Sequence, residues 1–266
     1  MQLLFNLFPG GRDKALTMSY DDGQIFDIRL AEIFNKNGIK GTFHLNSGTL
    51  NTDGFITSDD VKKYLCGHEI SVHTKTHPYL ERIPVSLVAS EIMEDKTALE
   101  ALAGYPIRGM SYPFGTYSPQ VVEHLRCLGM EYSRTTQATN KFMLPKDFLE
   151  WHPSAHHKMN ISGLLKDFLA PKPFERYLRV MYIWGHSYEF DRENNWELIE
   201  DFCKEAGGRN DIWYATNIEI MDYANAVKNL KISADSSMLQ NNSIVDVWLT
   251  IDGEPRCIKS GELLCL

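Results

Sequence analysis

Short apolar runs alternate with segments of helical periodicity along most of the chain. Runs typical of buried strands lie at residues 15–18, 40–45, 69–72, 109–112, 132–134, 180–184 and 212–215. Between them, apolar residues recur at helical spacing; Phe26, Leu30 and Phe34, for example, precede a stop at Gly38. About seven alternations of strand and helix predict parallel strands joined by crossover helices, in a barrel or an open sheet.

Polar side chains follow several of these strands. Asp21 and Asp22 come after the first strand, His73 and His77 after the third, and His186 after the sixth. Active sites of parallel barrels collect at the carboxyl ends of the strands, and this coincidence favours a barrel with one shared site. An open doubly wound sheet also binds ligands at that edge and stays the alternative.

The tail of the chain has a different pattern. Val245, Val247, Leu249 and Ile251 alternate with polar or aromatic residues, and this period of two is typical of a half-buried strand. The dipeptide Asp252-Gly253 follows as a hairpin signal. We therefore expect a barrel unit at residues 1–230 and a small β appendage at residues 231–266.

Composition excludes some classes of function. The formal net charge is -8 and the pI about 5.6, and no basic stripe is present, so a nucleic-acid partner is not expected. No segment is apolar and long enough to span a membrane. The apolar start lacks a basic region and makes a poor signal peptide, which predicts a cytoplasmic protein, or a secreted one if a leader has been removed. Five scattered cysteines predict reduced thiols, mostly buried.

His73 and His77 are four residues apart, so a single helical turn would direct both imidazoles to one side. With Asp22 they form a two-histidine, one-carboxylate set, the ligand count of a catalytic zinc site with room for water. Water at such a metal needs a base, and Asp21 suits that role because successive strand residues point to opposite sides. His186, with a pKa near neutrality, suits a general acid. A solvated acidic turn and hydrogen-bonded core histidines are the structural alternatives.

With these residues in view, residues 14–223 resemble the polysaccharide deacetylase family, the NodB-homology domain of carbohydrate esterase family four. Three motifs carry the resemblance: Ser19-Tyr20-Asp21-Asp22-Gly23, His73-Thr74-Lys75-Thr76-His77 and Ile183-Trp184-Gly185-His186. The resemblance implies a distorted (β/α) barrel with a divalent metal, usually zinc, held by Asp22, His73 and His77. It also implies that Asp21 is the general base and His186 the general acid in hydrolysis of an acetyl group from a sugar.

Two family motifs are altered. Tyr112, Pro113 and Phe114 fit the third motif, Arg-x-Pro-Phe/Tyr, but Ser111 stands where the family's arginine holds the base aspartate. Arg134 or Arg108 would have to substitute, and Arg134 is favoured because it ends a predicted strand. The fourth motif is matched only loosely around Glu150 and Trp151. Glu150 is therefore a candidate to orient His186, with a solvated loop as the alternative.

Several aromatic residues are candidates for the substrate pocket, although each on its own is also typical of a core. The candidate substrate-binding residues are Tyr112, Pro113, Phe114, Trp151 and Trp184. His152, His156 and His157 cluster in the longest irregular segment, where they would either line the cleft or lie on the surface.

Three functions are compatible with these residues. The leading one is a metal-dependent deacetylase of an N- or O-acetylated carbohydrate. A second is a metal-dependent hydrolase of small non-peptide amides, which the altered third motif and the poor export signal favour. A third is a carbohydrate-binding protein without catalysis; the retained acid and base argue against it. The expected partner is a carbohydrate, and the sequence does not predict an oligomeric state.

Overall fold

The structure, a computed structural model, describes residues 1–171 and 176–266. Its strands are β1 (Leu3–Leu4), β2 (Lys14–Asp21), β3 (Gly41–Leu45), β4 (Glu69–Val72), β5 (Gly109–Ser111), β6 (Tyr132–Arg134), β7 (Ala155–His156), β8 (Arg179–Gly185), β9 (Ile212–Tyr214), β10 (Lys231–Ile232), β11 (Met238–Gln240), β12 (Val247–Ile251), β13 (Glu254–Ile258) and β14 (Leu263–Cys265). Its helices are α1 (Asp27–Lys36), α2 (Ser58–Tyr64), α3 (Val85–Ala103), α4 (Pro119–Cys127), α5 (Ile161–Leu169), α6 (Tyr188–Arg192), α7 (Glu197–Ala206) and α8 (Asn217–Lys228).

The strands β2 to β9 form one sheet in which every pairing is parallel. Their order is β6-β5-β4-β3-β2-β8-β7, and β9 pairs with the first three residues of β2. All eight residues of β2 are buried, as expected for a central strand of a parallel sheet that is covered on both faces. The carboxyl ends of these strands therefore meet at one end of the sheet.

The segment between β6 and β7 closes the sheet into a ring. The Trp151 N–H donates to the Ser133 carbonyl oxygen, and the Thr135 N–H donates to the Trp151 carbonyl oxygen. A few residues later, β7 pairs with β8. This closure confirms the distorted (β/α) barrel, and the distortion lies where β7 contributes only two residues. Sequence periodicity did not predict β7 or α5, because both lie in or beside a segment without a regular apolar pattern.

The helices begin and end at residues that satisfy their free backbone groups. The Thr216 side chain accepts from the Glu219 N–H and the Glu219 side chain accepts from the Thr216 N–H, so α8 begins with a capping box. Gly104 ends α3 in the left-handed region, with φ of 77°. These caps fix where each crossover helix returns to the sheet.

The strands β10 to β14 form two small antiparallel sheets, and β1 joins one of them beside β12. Asp252 and Gly253, with φ of 48° and 90°, make the predicted two-residue turn between β12 and β13. An apolar cluster attaches these sheets to α8: Ala226, Leu230, Leu239, Val247, Leu249 and Ile258. The boundary between residues 230 and 231 stays a prediction.

The five cysteines are free, but the expectation that most are buried is wrong. Cys203 is buried, whereas Cys66, Cys127 and Cys265 are exposed. Across residues 1–171 and 176–266, every helix is too short or too polar to cross a bilayer. The compartment stays a prediction.

Candidate metal centre and active site

Two chain segments at the carboxyl ends of β2 and β4 carry the candidate ligands. Asp21 is the last residue of β2, and Asp22 turns the chain away from the strand with φ of 80°. Beyond β4, Thr74 and His77 also have positive φ, at 67° and 59°. Positive φ is uncommon for residues other than glycine and costs of order 1–3 kcal/mol at each position. This strain is concentrated where two loops bring Asp22, His73 and His77 together.

Asp22, His73 and His77 converge on one point. The Asp22 Oδ1 atom lies 3.6 Å from His73 Nε2 and 3.8 Å from His77 Nε2, and the three donor atoms lie within 4.8 Å of one another. His73 Nδ1 lies 2.9 Å from the Ser111 carbonyl oxygen, which can only accept a hydrogen bond. The proton therefore belongs on Nδ1, and the lone pair of Nε2 is directed to the shared point, as in histidine ligands of metal sites.

The backbone of His73 is fixed by two buried polar side chains from other elements. Asn46 donates to the carbonyl oxygens of His73 and Thr74 at 2.6 Å and 2.8 Å. Asp95, from α3, accepts the N–H groups of Ser47 and His73. Burial raises the pKa of Asp95 to about 7. Sequence reasoning missed Asp95, because a single aspartate inside a helix resembles a solvated position.

Asp21 is buried beside the ligands and is paired with Arg134 at the end of β6. Its Oδ1 atom also accepts from Ser111 Oγ at 3.1 Å. Burial alone would raise the pKa of the Asp21 carboxyl, but the Arg134 guanidinium and His73 outweigh it and hold that pKa well below its usual range. The guanidinium lies over the Trp184 ring, 4.2 Å from its centroid. Arg134 thus contacts the aspartate that the third-motif arginine contacts in the resembled family.

Arg108, the other candidate for that contact, lies elsewhere. It precedes β5 at the amino end of the strand and pairs with Asp222 at 2.6 Å and Glu131 at 3.0 Å. The expectation that Arg108 might support the base is therefore corrected: its partners are on α8 and before β6, at the opposite end of the barrel.

His186 faces the ligands from the end of β8. Its Nε2 atom lies 4.0 Å from Asp22 Oδ2, and its Nδ1 atom lies 3.3 Å from Glu189 Oε2. Burial lowers the pKa of His186, but Glu189 and the two aspartates outweigh it, and the net effect is a raised pKa. Glu150, the acid suggested for this position, is exposed and bonds to Tyr117 instead. The spacing His186-x-x-Glu189, on a short helical turn, was the signal that sequence reasoning missed.

A cavity of about 290 Å³ opens above these groups. Its lining includes the candidates Tyr112, Phe114 and Trp184 together with Thr136 and Tyr188, which sequence reasoning did not single out. Phe114 is 49% exposed and stacks on Tyr79, with ring centroids 3.8 Å apart.

Two candidate substrate-binding residues are not part of this lining among the described residues. Trp151 is buried in the core between Phe148 and Tyr182, with ring centroids 5.0 Å and 4.7 Å away. Pro113 is buried behind the cavity wall. Their proposed role in substrate binding is corrected to packing, since neither side chain reaches the cavity.

The buried ion pair between Arg134 and Asp21 predicts a large stability effect. Arg134→Met should lower the free energy of unfolding by about 3–5 kcal/mol, because Asp21 would remain as an uncompensated buried charge. Arg108→Met, which breaks a partly exposed pair, should cost about 0–1 kcal/mol. Urea denaturation with chelator present would measure both variants without a contribution from bound metal. Equal losses of unfolding free energy in the two variants would contradict the assignment of Arg134 as the partner of a buried, charged Asp21.

Comparisons with known proteins agree with this geometry. Residues 9–133, a little under half of the chain, match the family model described as polysaccharide deacetylase. A chitin deacetylase of Pestalotiopsis sp is 26% identical over 113 residues, which cover 42% of this chain and 38% of that protein. The matched segments span well under half the length of the curated relatives.

Solved structures with low sequence identity share the fold. A candidate polysaccharide deacetylase from Mycobacterium smegmatis superposes with a TM-score of 0.61 at 15% identity, over 83% of this chain and 93% of that one. A family 4 acetyl xylan esterase from Clostridium thermocellum, solved with a cobalt ion, gives a TM-score of 0.52 at 15% identity, over 78% and 90% of the two chains. Through the family-model match and the motifs at Asp21-Asp22 and His73 to His77, residues 9–133 are similar to the polysaccharide deacetylase family, the NodB-homology family of carbohydrate esterases.

Proposed function

We propose that this protein is a metal-dependent hydrolase that removes acetyl groups from an N- or O-acetylated carbohydrate. One observation carries the proposal: the convergent donors of Asp22, His73 and His77 lie between a buried carboxylate, Asp21, and an imidazole, His186. A site that only binds sugar has no need for a base and an acid placed on either side of a ligand set.

The donor set fits a divalent metal. Two imidazole nitrogens and one carboxylate oxygen are the ligands of many catalytic zinc sites, and we propose zinc as the ion on that ground. The Nδ1 proton of His73 is already directed to a carbonyl oxygen, which leaves Nε2 as the donor. When bound, the ion would polarise the acetyl carbonyl and lower the pKa of a bound water. A weakly basic carboxylate could then remove the proton of that water.

Asp21 would take the proton from the attacking water. Its ion pair with Arg134 keeps the carboxylate ionised, and the hydrogen bond from Ser111 fixes its plane. Arg134 acts through Asp21 and is a positioning residue. In the resembled family the arginine comes from the third motif; we propose that here it is supplied from the end of β6.

His186 would protonate the leaving group. Its Nε2 atom points into the cavity, and Glu189 accepts from Nδ1, which holds the ring in one orientation. Glu189 is a positioning residue in this scheme and occupies the place that the fourth motif fills in the resembled family.

The cavity walls suit the apolar face of a sugar ring. Phe114, supported by Tyr79, presents an aromatic face beside His77, with ring centroids of Phe114 and His77 4.4 Å apart. Tyr112 and Trp184 form other parts of the wall. A relative named chitin deacetylase supports an acetylated amino sugar as the substrate class.

Acetate release from a panel of acetylated oligosaccharides, measured with and without chelator, tests the proposal together with the metal content. We expect chelator-sensitive acetate release and at least one metal per chain. Bound metal with hydrolysis of small amides, but no acetate from any oligosaccharide, would instead support the amide-hydrolase alternative. Sugar binding without product under any added metal would support a binding protein.

A further inference from the structure

We infer that the protein has a second divalent-cation site, formed by His156, His186 and Glu189, next to the proposed catalytic metal site. These residues come from β7, from the loop after β8 and from α6. Their donor atoms, His156 Nε2, His186 Nδ1 and Glu189 Oε2, lie within 4.8 Å of one another. Like the first ligand set, this one contains two imidazole nitrogens and one carboxylate oxygen, which suits zinc or a similar transition metal.

The carboxylate oxygen in this cluster lies at ligand spacing from both imidazole nitrogens. Glu189 Oε2 lies 3.2 Å from His156 Nε2 and 3.3 Å from His186 Nδ1. Ligand bonds of about 2.0–2.1 Å in a tetrahedral zinc site place neighbouring donors about 3.3–3.4 Å apart. Binding an ion would therefore require adjustment only between the two imidazole nitrogens, which lie within 4.8 Å of each other.

Hydrogen bonding alone does not satisfy this cluster. The nitrogens of three imidazoles crowd around one oxygen, because His157 Nε2 also lies 3.2 Å from Glu189 Oε2. His157 is 1% exposed, and its Nε2 contact with Glu189 Oε2 at 3.2 Å is too poorly aligned for a hydrogen bond, so neither ring nitrogen has a well-directed partner. A buried polar group without a well-aligned partner is destabilising. An ion beside Oε2 would give this imidazole a partner, directly or through a bound water.

The local charge permits a cation despite the nearby lysine. Lys158 Nζ binds the other oxygen of the carboxylate, Oε1, at 2.8 Å and leaves Oε2 to the imidazoles. Arg192 Nη2 lies 3.6 Å from the same Oε1 atom, and both Lys158 and Arg192 are paired with Glu193. The opposite edge of His186 faces Asp22, a carboxylate. The cluster is therefore surrounded by balanced charge and by imidazoles that can bind an ion when neutral.

His186 belongs to both the cluster and the proposed catalytic site. An ion on Nδ1 takes the place of the proton that Nδ1 carries when it bonds to Glu189. The imidazole then holds at most one proton, on Nε2, and is a poorer proton donor than imidazolium. Metal in excess of the first equivalent should therefore inhibit acetate release. This expectation rests on the proposed function.

Metal titration of the chelator-treated chain of 266 residues tests the inference without reference to activity. Equilibrium dialysis against zinc should show two ions per chain, and Co²⁺ should add a visible absorption band with each equivalent. His156→Asn should remove the weaker equivalent and keep the tighter one, whereas Asp22→Asn should remove the tighter one. His124→Asn, a substitution on α4 away from both sites, should retain two.

Binding that saturates at one ion in the wild type would overturn the inference. A second equivalent that persists in both His156→Asn and Glu189→Gln would overturn it as well, because the ion would then lie elsewhere. Circular dichroism of each variant verifies that the fold is retained, and the two substitutions remove different donors. A protein with two ions but no acetate release would retain the second site and reject the proposed function, so the two failures are distinguishable.

Discussion

Replacing His77 by alanine is expected to abolish metal binding at the catalytic site and acetate release together. His77 is the best of the three ligands to replace, because its side chain is 29% exposed and its ring has no buried hydrogen bonds to lose, in contrast to His73. Removal of an outer partner of a ligand typically costs 10–100-fold in metal affinity, and we expect removal of the ligand itself to cost more than about 100-fold.

Equilibrium dialysis at low free zinc and acetate release by the same samples would measure both effects. His124→Ala serves as the matched control, because it removes an imidazole from the surface of α4 and should leave both quantities unchanged. Wild-type affinity for the first ion in the His77 variant would remove this residue from the ligand set. A stable, metal-loaded but inactive variant would instead assign His77 to substrate binding.

Asp21→Asn should leave metal affinity within a few-fold of wild type and reduce turnover by about 10²–10⁴-fold, the usual contribution of a general base. The amide has the same shape, and its single oxygen can still accept from Arg134, while its NH2 group meets Ser111 Oγ, which must then accept a hydrogen bond instead of donating one. It cannot accept the proton of water. The kcat measured at saturating metal and substrate isolates this step from binding.

Asp27→Asn is the control for this substitution. Asp27 is also a buried aspartate near the site, bonded to Ser187 Oγ at 2.5 Å. Burial raises the pKa of Asp27 to about 8, so the group is largely neutral at pH 7 and an amide replaces it with little change of charge. We expect near wild-type turnover. A similar loss in both variants would show that Asp21 matters for packing and not as a base.

The parts of the site that sequence reasoning predicted are carried by local signals. Asp21, Asp22, His73, His77 and His186 each follow an apolar run within a few residues, so strand periodicity alone places them at one end of a barrel. The parallel order of strands then brings these ends together without any knowledge of individual contacts.

The parts that sequence reasoning missed depend on contacts between distant segments. Asp95 binds the His73 backbone from α3, and Glu189 binds His186 through a turn too short to produce periodicity. Trp151 is a pocket candidate in the sequence because it is aromatic and lies in the loosely matched fourth motif. It is instead a core residue whose backbone joins β6, a pairing that no local pattern indicates.

The pairing of β1 with β12 has a consequence for how the chain assembles. Leu3 lies opposite Ile251, so this short sheet encloses the entire barrel in a single loop of chain. The entropy of closing so long a loop is not repaid by two residues of pairing unless the intervening chain is already compact. We therefore expect the contact between β1 and β12 to form after the barrel during folding and to open before it during unfolding.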